Sequence, residues 1–276
     1  MSLLRYGIRL AIAVVAAAAM LCALIQVHAR YEAHRAKSIL AKAWKVRIGD
    51  TEASVLPWVK QYRGYKWISG PQRREDLGRK EDCVDPEWCE HEIEYQLPLL
   101  PDYEYAVEVN PWGFYTLPNP QRSRLQDVLR AVINGVPAPL RSRVGMRDWL
   151  ATVDIAIRGG RVSRVSAAVF VEGRSQWIGH EWTLAGEMPR YDMRLRSYTI
   201  DGAHLSFKSN YGGGAVRHYL TPRAPEDVVQ AARSVNTACL TSFLGCRGMC
   251  DLSGRTVQYL KTHPDETWNI RPPECR

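Results

Sequence analysis

Residues 151–171 read ATVDIAIRGGRVSRVSAAVFV, and their pattern sets the fold class. Val153, Ile155 and Ile157 alternate with small or polar residues, the period-two signature of a strand with one buried face. Arg158-Gly159-Gly160-Arg161 then places two glycines between two arginines, the chemistry of a two-residue hairpin turn. On the return, Val162 and the set Val165, Ala167, Val169 and Val171 differ in parity. The spacing therefore predicts a bulge or face switch near Ser163 and Arg164.

Working toward the C-terminus, WIGHEWTL (177–184) reads as a strand whose one face carries Ile178, His180, Trp182 and Leu184. Asp201-Gly202 makes a second hairpin, with Ile200 opposite Ala203, Thr199 opposite His204 and Tyr198 opposite Leu205. Gly212-Gly213-Gly214 turns the chain into a further strand, AVRHYL. Pro225, with Glu226 and Asp227 in the first turn, then opens a helix whose expected buried face is Val228, Ala232, Val235 and Cys239.

Toward the N-terminus, Asp50 or Thr51 caps a helix with Val55, Val59 and Tyr62 on one stripe, flawed by Pro57. A polar stretch (69–82) leads to a strand with Ile93, Tyr95 and Leu97 on one face, and YEYAVEV (103–109) follows as a second. The three prolines of NPWGFYTLPNPQ (110–121) mark the expected domain boundary. Ser123 begins a helix, RLQDVLRAVI, that Gly135 and Pro137 stop. The expected class is α+β, an antiparallel sheet with helices packed on one face, stapled by disulfides. Its segments are 1–29, an anchor; 30–47, a juxtamembrane helix; 48–120, a first subdomain; and 121–276, a second.

The chain has 276 residues, 46% apolar or aromatic and 24% charged, which is globular rather than disordered composition. Leu10–Ile25 is a run of sixteen uncharged, mostly apolar residues behind Arg5 and Arg9, the layout of a secretion signal or a signal anchor. Val27-His28-Ala29 has the form of a cleavage site. RYEAHRAKSILAKAW nevertheless continues at helical spacing through Tyr31, Ala36, Ile39, Leu40 and Ala43, which favours a retained transmembrane helix that runs out of the bilayer. Cys22 follows Ala-Met-Leu, and the bulky Leu21 argues against a lipoprotein site.

The topology signals disagree. Arg30, Arg35, Lys37, Lys42, Lys45 and Arg47 follow the span, and counting positive charges alone would leave the C-terminal bulk in the cytoplasm. Six cysteines outside the span, an even number in two clusters, fit an oxidising compartment instead. The expectation adopted is an extracytoplasmic, periplasmic domain on a single-pass cell-membrane anchor. Arg30, Arg35, Lys37 and Lys42 would then meet anionic lipid. The net charge is +8, but its arginines are scattered and interspersed with acids, so no nucleic-acid partner is expected.

His180-Glu181 resembles the start of a zinc-protease helix, but Leu184 stands at the second histidine position and the segment alternates as a strand. The glycine run 212–214 lacks the G-K-[ST] of a phosphate loop. His204 and His218 have no nucleophile elbow beside them. The tryptophans Trp58, Trp67, Trp88, Trp112, Trp149, Trp177 and Trp182 could stack on carbohydrate but read as core and rim. Cys83, Cys89 and His91 would make only half a zinc site, and Cys239, Cys246 and Cys250 contain no C-x-x-C. No metal and no cofactor is expected, and the cysteines read as disulfides.

The stretches IGDTEASV (48–55), EDCVDPEWCEHEIEY (81–95), LTPRAPEDV (220–228) and CLTSFLGC (239–246) together resemble a family of uncharacterised bacterial membrane-anchored extracytoplasmic proteins. That resemblance implies no activity. It implies pairing of Cys83 with Cys89 and Cys239 with Cys246, leaving Cys250 and Cys275 to pair with each other. More distantly, residues 48–64, with Gly49, Thr51 and Val55, resemble the helical opening of small outer-membrane assembly lipoproteins of the SmpA/OmlA type. The functional expectation is a non-catalytic module that binds an envelope protein or surface; the alternative is an extracytoplasmic hydrolase using His180 and Glu181.

Overall fold

The structure is a computed structural model and describes residues 2–67, 101–111, 148–172, 177–186, 197–200, 202–210, 213–242, 245–246 and 248–262. Ser2–Ala43 form one continuous helix, α1. No other described residue covers its first part: Ile12, Val14, Val15, Leu21 and Leu24 are each about 60% exposed. Its second part is packed, with Ala29, Ala33, Ala36, Leu40 and Ala43 buried at i, i+3 and i+4 intervals together with Ile39. Tyr31, expected on this stripe, is 61% exposed. It is two residues from both Ala29 and Ala33, about 200° around the helix, and so points away from the stripe, whose small alanines let the helix approach the sheet.

Eight strands are found among the described residues: β1 (Tyr65–Trp67), β2 (Tyr103–Val109), β3 (Trp149–Arg158), β4 (Arg161–Glu172), β5 (Trp177–Ala185), β6 (Ser197–Ile200), β7 (Ala203–Asn210) and β8 (Gly213–Leu220). They form one sheet in the order β1-β2-β3-β4-β5-β8-β7-β6. The central hairpin has the expected turn, with Arg158 opposite Arg161 and both glycines at positive φ. Ile157 pairs with Val162 but Ala156 pairs with Arg164, so Ser163 is the extra residue of the bulge and its hydroxyl donates to the Ala156 carbonyl. The Asp201-Gly202 hairpin also has the expected register, Ile200 with Ala203, Thr199 with His204 and Tyr198 with Leu205.

Two expectations are corrected. The sheet is mixed rather than antiparallel, because β8 lies parallel to β5. The meander β6-β7-β8 docks by its last strand, and β8 is the strand that brings the buried side chains Val216, His218 and Leu220 to the centre. The helix after Pro225 is also shorter than expected: α3 spans Glu226–Arg233 and buries Val228, Ala231 and Ala232. The Ser234 hydroxyl bonds back to Gln230 and the Asn236 side chain accepts from Ala238. These polar caps end one helix and begin a separate 310 turn, Thr237–Leu240, which carries Cys239.

Two further helices follow, α4 (Met249–Leu252) and α5 (Gly254–Thr262). Near the N-terminus, α2 (Glu52–Gln61) accommodates Pro57 and buries Val55 and Val59 as expected. The segment before α2 is tied to the β3–β4 turn: Gly49 donates to Val162, Val162 to Asp50, and Glu52 to Gly160. Strand β1 was not legible in the sequence. Residues of the first expected subdomain (β1, β2) and of the second (β3 onward) share this one sheet and contribute to one hydrophobic cluster. The expected strand at 93–97, the helix after Ser123, and Cys83, Cys89 and Cys275 lie outside the described residues.

Gly64 links α2 to β1 at a point of close approach. A Cβ there would stand 2.7 Å from Val59 Cγ1, 2.8 Å from Val107 Cγ2 and 2.9 Å from the Ala106 carbonyl oxygen. Gly64→Ala is therefore expected to lower stability by about 1–3 kcal/mol through overpacking, measured by urea denaturation. An unchanged midpoint would show that the α2–β1 junction has room for a side chain.

Candidate functional site

Alternation along β5 sends neighbouring side chains to opposite faces, and this separates the two residues of the hydrolase reading. His180 lies under the helices with no exposed surface. Glu181 lies on the other face and pairs with Arg217 of β8 at 2.6 Å. The two do not converge on one site.

His180 has different companions. Its Nε2 lies 2.8 Å from the Ala232 carbonyl and its Nδ1 lies 2.8 Å from Ser253 Oγ. A carbonyl only accepts, so Nε2 carries the proton and Nδ1 accepts from the serine hydroxyl. His218, one strand over, has its ring centre 5.2 Å away. Thr256 donates its hydroxyl proton to the Ala231 carbonyl, so Nε2 of His218 donates to Thr256 Oγ1 at 3.0 Å. The remaining lone pair, on His218 Nδ1, is buried with no hydrogen-bond partner among the described residues.

Ser253 and Thr256 stand just before and within the first turn of α5. The two imidazoles thus meet the positive end of a helix, a place that opposes their protonation. Burial pushes His180 down to about 4 and holds His218 well below the ordinary histidine value, with its neighbour His180 adding to the effect. Ser253 with His180 has the bond pattern of a nucleophile and its base. Both are sealed under the helices with no exposed surface, and the arrangement acts as a clasp between the sheet and α3–α5. Trp182, beside His218 in register, stacks on Trp44 of the segment after α1 at 3.7 Å. The Arg233 guanidinium caps that stack at 4.7 Å.

The opposite face carries a row fixed by register across six strands: Ala106, Asp154, Ser166, Thr183, Tyr219 and His204. His204 is therefore on the other side of the sheet from His218. Ion pairs flank the row, Arg164 with Glu104 at 2.6 Å and Arg217 with Glu181, and Thr183 donates to Ser166. Burial, reinforced by Glu104 and Glu108, pushes Asp154 up to about 7. Burial also raises Tyr219 and lowers His204. The three titratable groups of the row, Asp154, Tyr219 and His204, are all held toward their uncharged forms.

Cys239 and Cys246 are joined, with Cα atoms 4.9 Å apart, and Cys250 is also disulfide-bonded. Closing so short a loop contributes about 2.5 kcal/mol on the chain-entropy account. Cys22 in α1 is free. Of the basic residues expected at a lipid surface, Arg30 and Lys37 are exposed. Arg35 pairs with Glu32 at 2.9 Å, and Lys42 donates to Gln61 and lies over the Tyr62 ring. Trp149 and Trp182 are core, while Trp67 is 39% exposed; Trp88 and Trp112 lie outside the described residues. No group of three or more metal-ligating side chains occurs among the described residues.

No protein-family model matches the chain, and no curated protein or solved structure matches it either.

The buried groups make opposed contributions to acid stability. His180 and His218 have folded values below the unfolded value of about 6.5, so the stability they contribute is present above that pH and is lost as the pH falls toward 4. Each accounts for about 1.4 kcal/mol per pH unit at most. Asp154 works in the other direction, because its folded value lies above the unfolded value of about 3.9; it costs stability above pH 7 and the cost fades in acid. Asp154→Asn is therefore expected to raise the melting temperature at pH 8, with the gain disappearing by pH 4. A gain that is constant across that range would show that Asp154 is not held neutral by its surroundings.

Proposed function

We propose that this chain is a single-pass membrane protein whose sheet domain is a non-catalytic binding module on the extracytoplasmic side, engaging another envelope component. The observation that carries the reading is α1. It is long and apolar enough to cross a bilayer, its first part exposes large apolar side chains with no protein partner among the described residues, and the same helix becomes core at Ala29. A water-facing helix would lose the hydrophobic stabilisation of each of those side chains, about 1.5–3 kcal/mol apiece when buried. A bilayer removes that cost.

The side of the membrane rests on the cysteines. The Cys239–Cys246 disulfide joins the 310 turn to the loop before α4, and disulfides persist in oxidising compartments. The binding role rests on the sealed clasp around His180 and on the paired charges of the opposite face, which leave polar groups at the surface of a rigid sheet.

The full chain is expected to remain in the membrane pellet after alkaline carbonate extraction, and a version lacking residues 2–25 to become soluble with its melting temperature kept. Cys239 and Cys246 should resist alkylation in protein trapped rapidly from cells until a reductant is added. Release of the full chain by carbonate would remove the anchor from this account, and free thiols at both positions would reverse the assigned side.

A further inference from the structure

Resting on the membrane reading above, we propose that the domain is seated directly on the bilayer, with the end of the sheet that carries Pro111, Asp148, Glu172 and Trp177 lying in the lipid headgroup layer.

Arg9 and Arg30 are 21 residues apart on a continuous helix, about 31 Å at 1.5 Å per residue. The hydrocarbon core of a bilayer is about 30 Å thick. Two arginines so spaced fit its two boundaries, and the far boundary then falls at the level of Arg30. Protein packing has already begun there: Ala29 is 2% exposed, and His28 Nε2 donates to the Pro111 carbonyl at 3.1 Å. No stalk separates the span from the domain.

Topology says which part of the domain is brought down. Pro111 follows the end of β2, whose Val109 pairs with Ala151 near the start of β3, which in turn pairs with Val169 near the end of β4. Glu172 of β4 pairs with Trp177 at the start of β5, and Trp177 with Gly213 at the start of β8. The backbone nitrogen of Glu172 donates to the Asp148 carbonyl. All of these positions are at one end of the sheet. The opposite end carries the Gly159-Gly160 turn, bonded to the segment after α1, and eleven residues of β4 place it roughly 35 Å away.

The chemistry of the near end suits the interface. Trp177 is a partly exposed aromatic residue of the kind that sits at headgroup level, and Arg30 and Tyr31 project from α1 at the same height.

The test uses the full chain with Cys22→Ser, reconstituted in phosphatidylethanolamine–phosphatidylglycerol vesicles that carry a nitroxide-labelled lipid headgroup. A thiol-reactive fluorophore is attached, without reductant, to Glu172→Cys or to Arg158→Cys at the far turn; the Cys22→Ser parent sets the background. Both variants are checked for an unchanged melting temperature, with Lys45→Cys as a second far probe. Quenching is expected to be several-fold stronger at position 172 than at 158 or 45. Equal, weak quenching in protein that floats with the vesicles would overturn the seating and leave the anchor standing. Failure to float would overturn the membrane reading and the seating with it.

Discussion

One helix has to satisfy two environments, and the arrangement of the rest follows from how it does so. Between Leu10 and Ile25, α1 offers uncharged, mostly apolar side chains to its surroundings, and its second part offers a narrow stripe of alanines with Ile39 and Leu40 to the sheet. Alanine permits the close approach that a stripe of larger residues would prevent, and the sheet answers with Val and Ile side chains from β2, β3 and β4. No glycine or proline interrupts the helix between Ile8 and Ala43, so it lacks the usual causes of a kink. The junction between the two environments is therefore a change of partner along one rigid rod.

On the sheet's helical face, the far half is held by a different device. Where α1 and α2 cover β2 to β4 with apolar contacts, the C-terminal helices meet β5 and β8 through His180 and His218. Hydrogen bonds are directional, and both rings are oriented by backbone carbonyls, His180 directly and His218 through Thr256. Such a clasp fixes register as well as proximity. It requires neutral imidazoles, and burial with the positive end of α5 supplies that condition. The Cys239–Cys246 disulfide then holds the short loop that leads into these helices.

Much of this was legible in the sequence where the information is local. The β3–β4 turn, the Ser163 bulge, the Asp201-Gly202 register and the continuation of α1 past Arg30 each follow from spacing and turn chemistry within a dozen residues. What was not legible is non-local. Hairpin signals tie β6 to β7 and β7 to β8, but they do not say which edge of that meander meets β5. Hence the parallel pair was missed, and with it the approach of His218 to His180, since the two are neighbours only because β8 sits beside β5. The break after Arg233 was missed for a subtler reason. Val235 and Cys239 continue the helical period, and only the capping chemistry of Ser234 and Asn236 breaks it. Strand β1 is too short at three residues to show a period of its own.

The absence of a linker gives the fold a mechanical property that composition alone would not suggest. With the stripe from Ala29 to Ala43 packed against the sheet, any tilt of the first part of α1 is carried into the domain, because rotation there would have to open a core in which Ala36 and Ile39 have no exposed surface. The opposite face of the sheet, with Glu104–Arg164 and Glu181–Arg217 on either side of the neutral row, is therefore held at a set angle to whatever surrounds the apolar segment. A tethered module finds its partner by sampling orientations; one joined in this way presents a single orientation. Under the proposed binding role, recognition would then depend on the partner lying at the right height and angle, and less on the strength of any one contact.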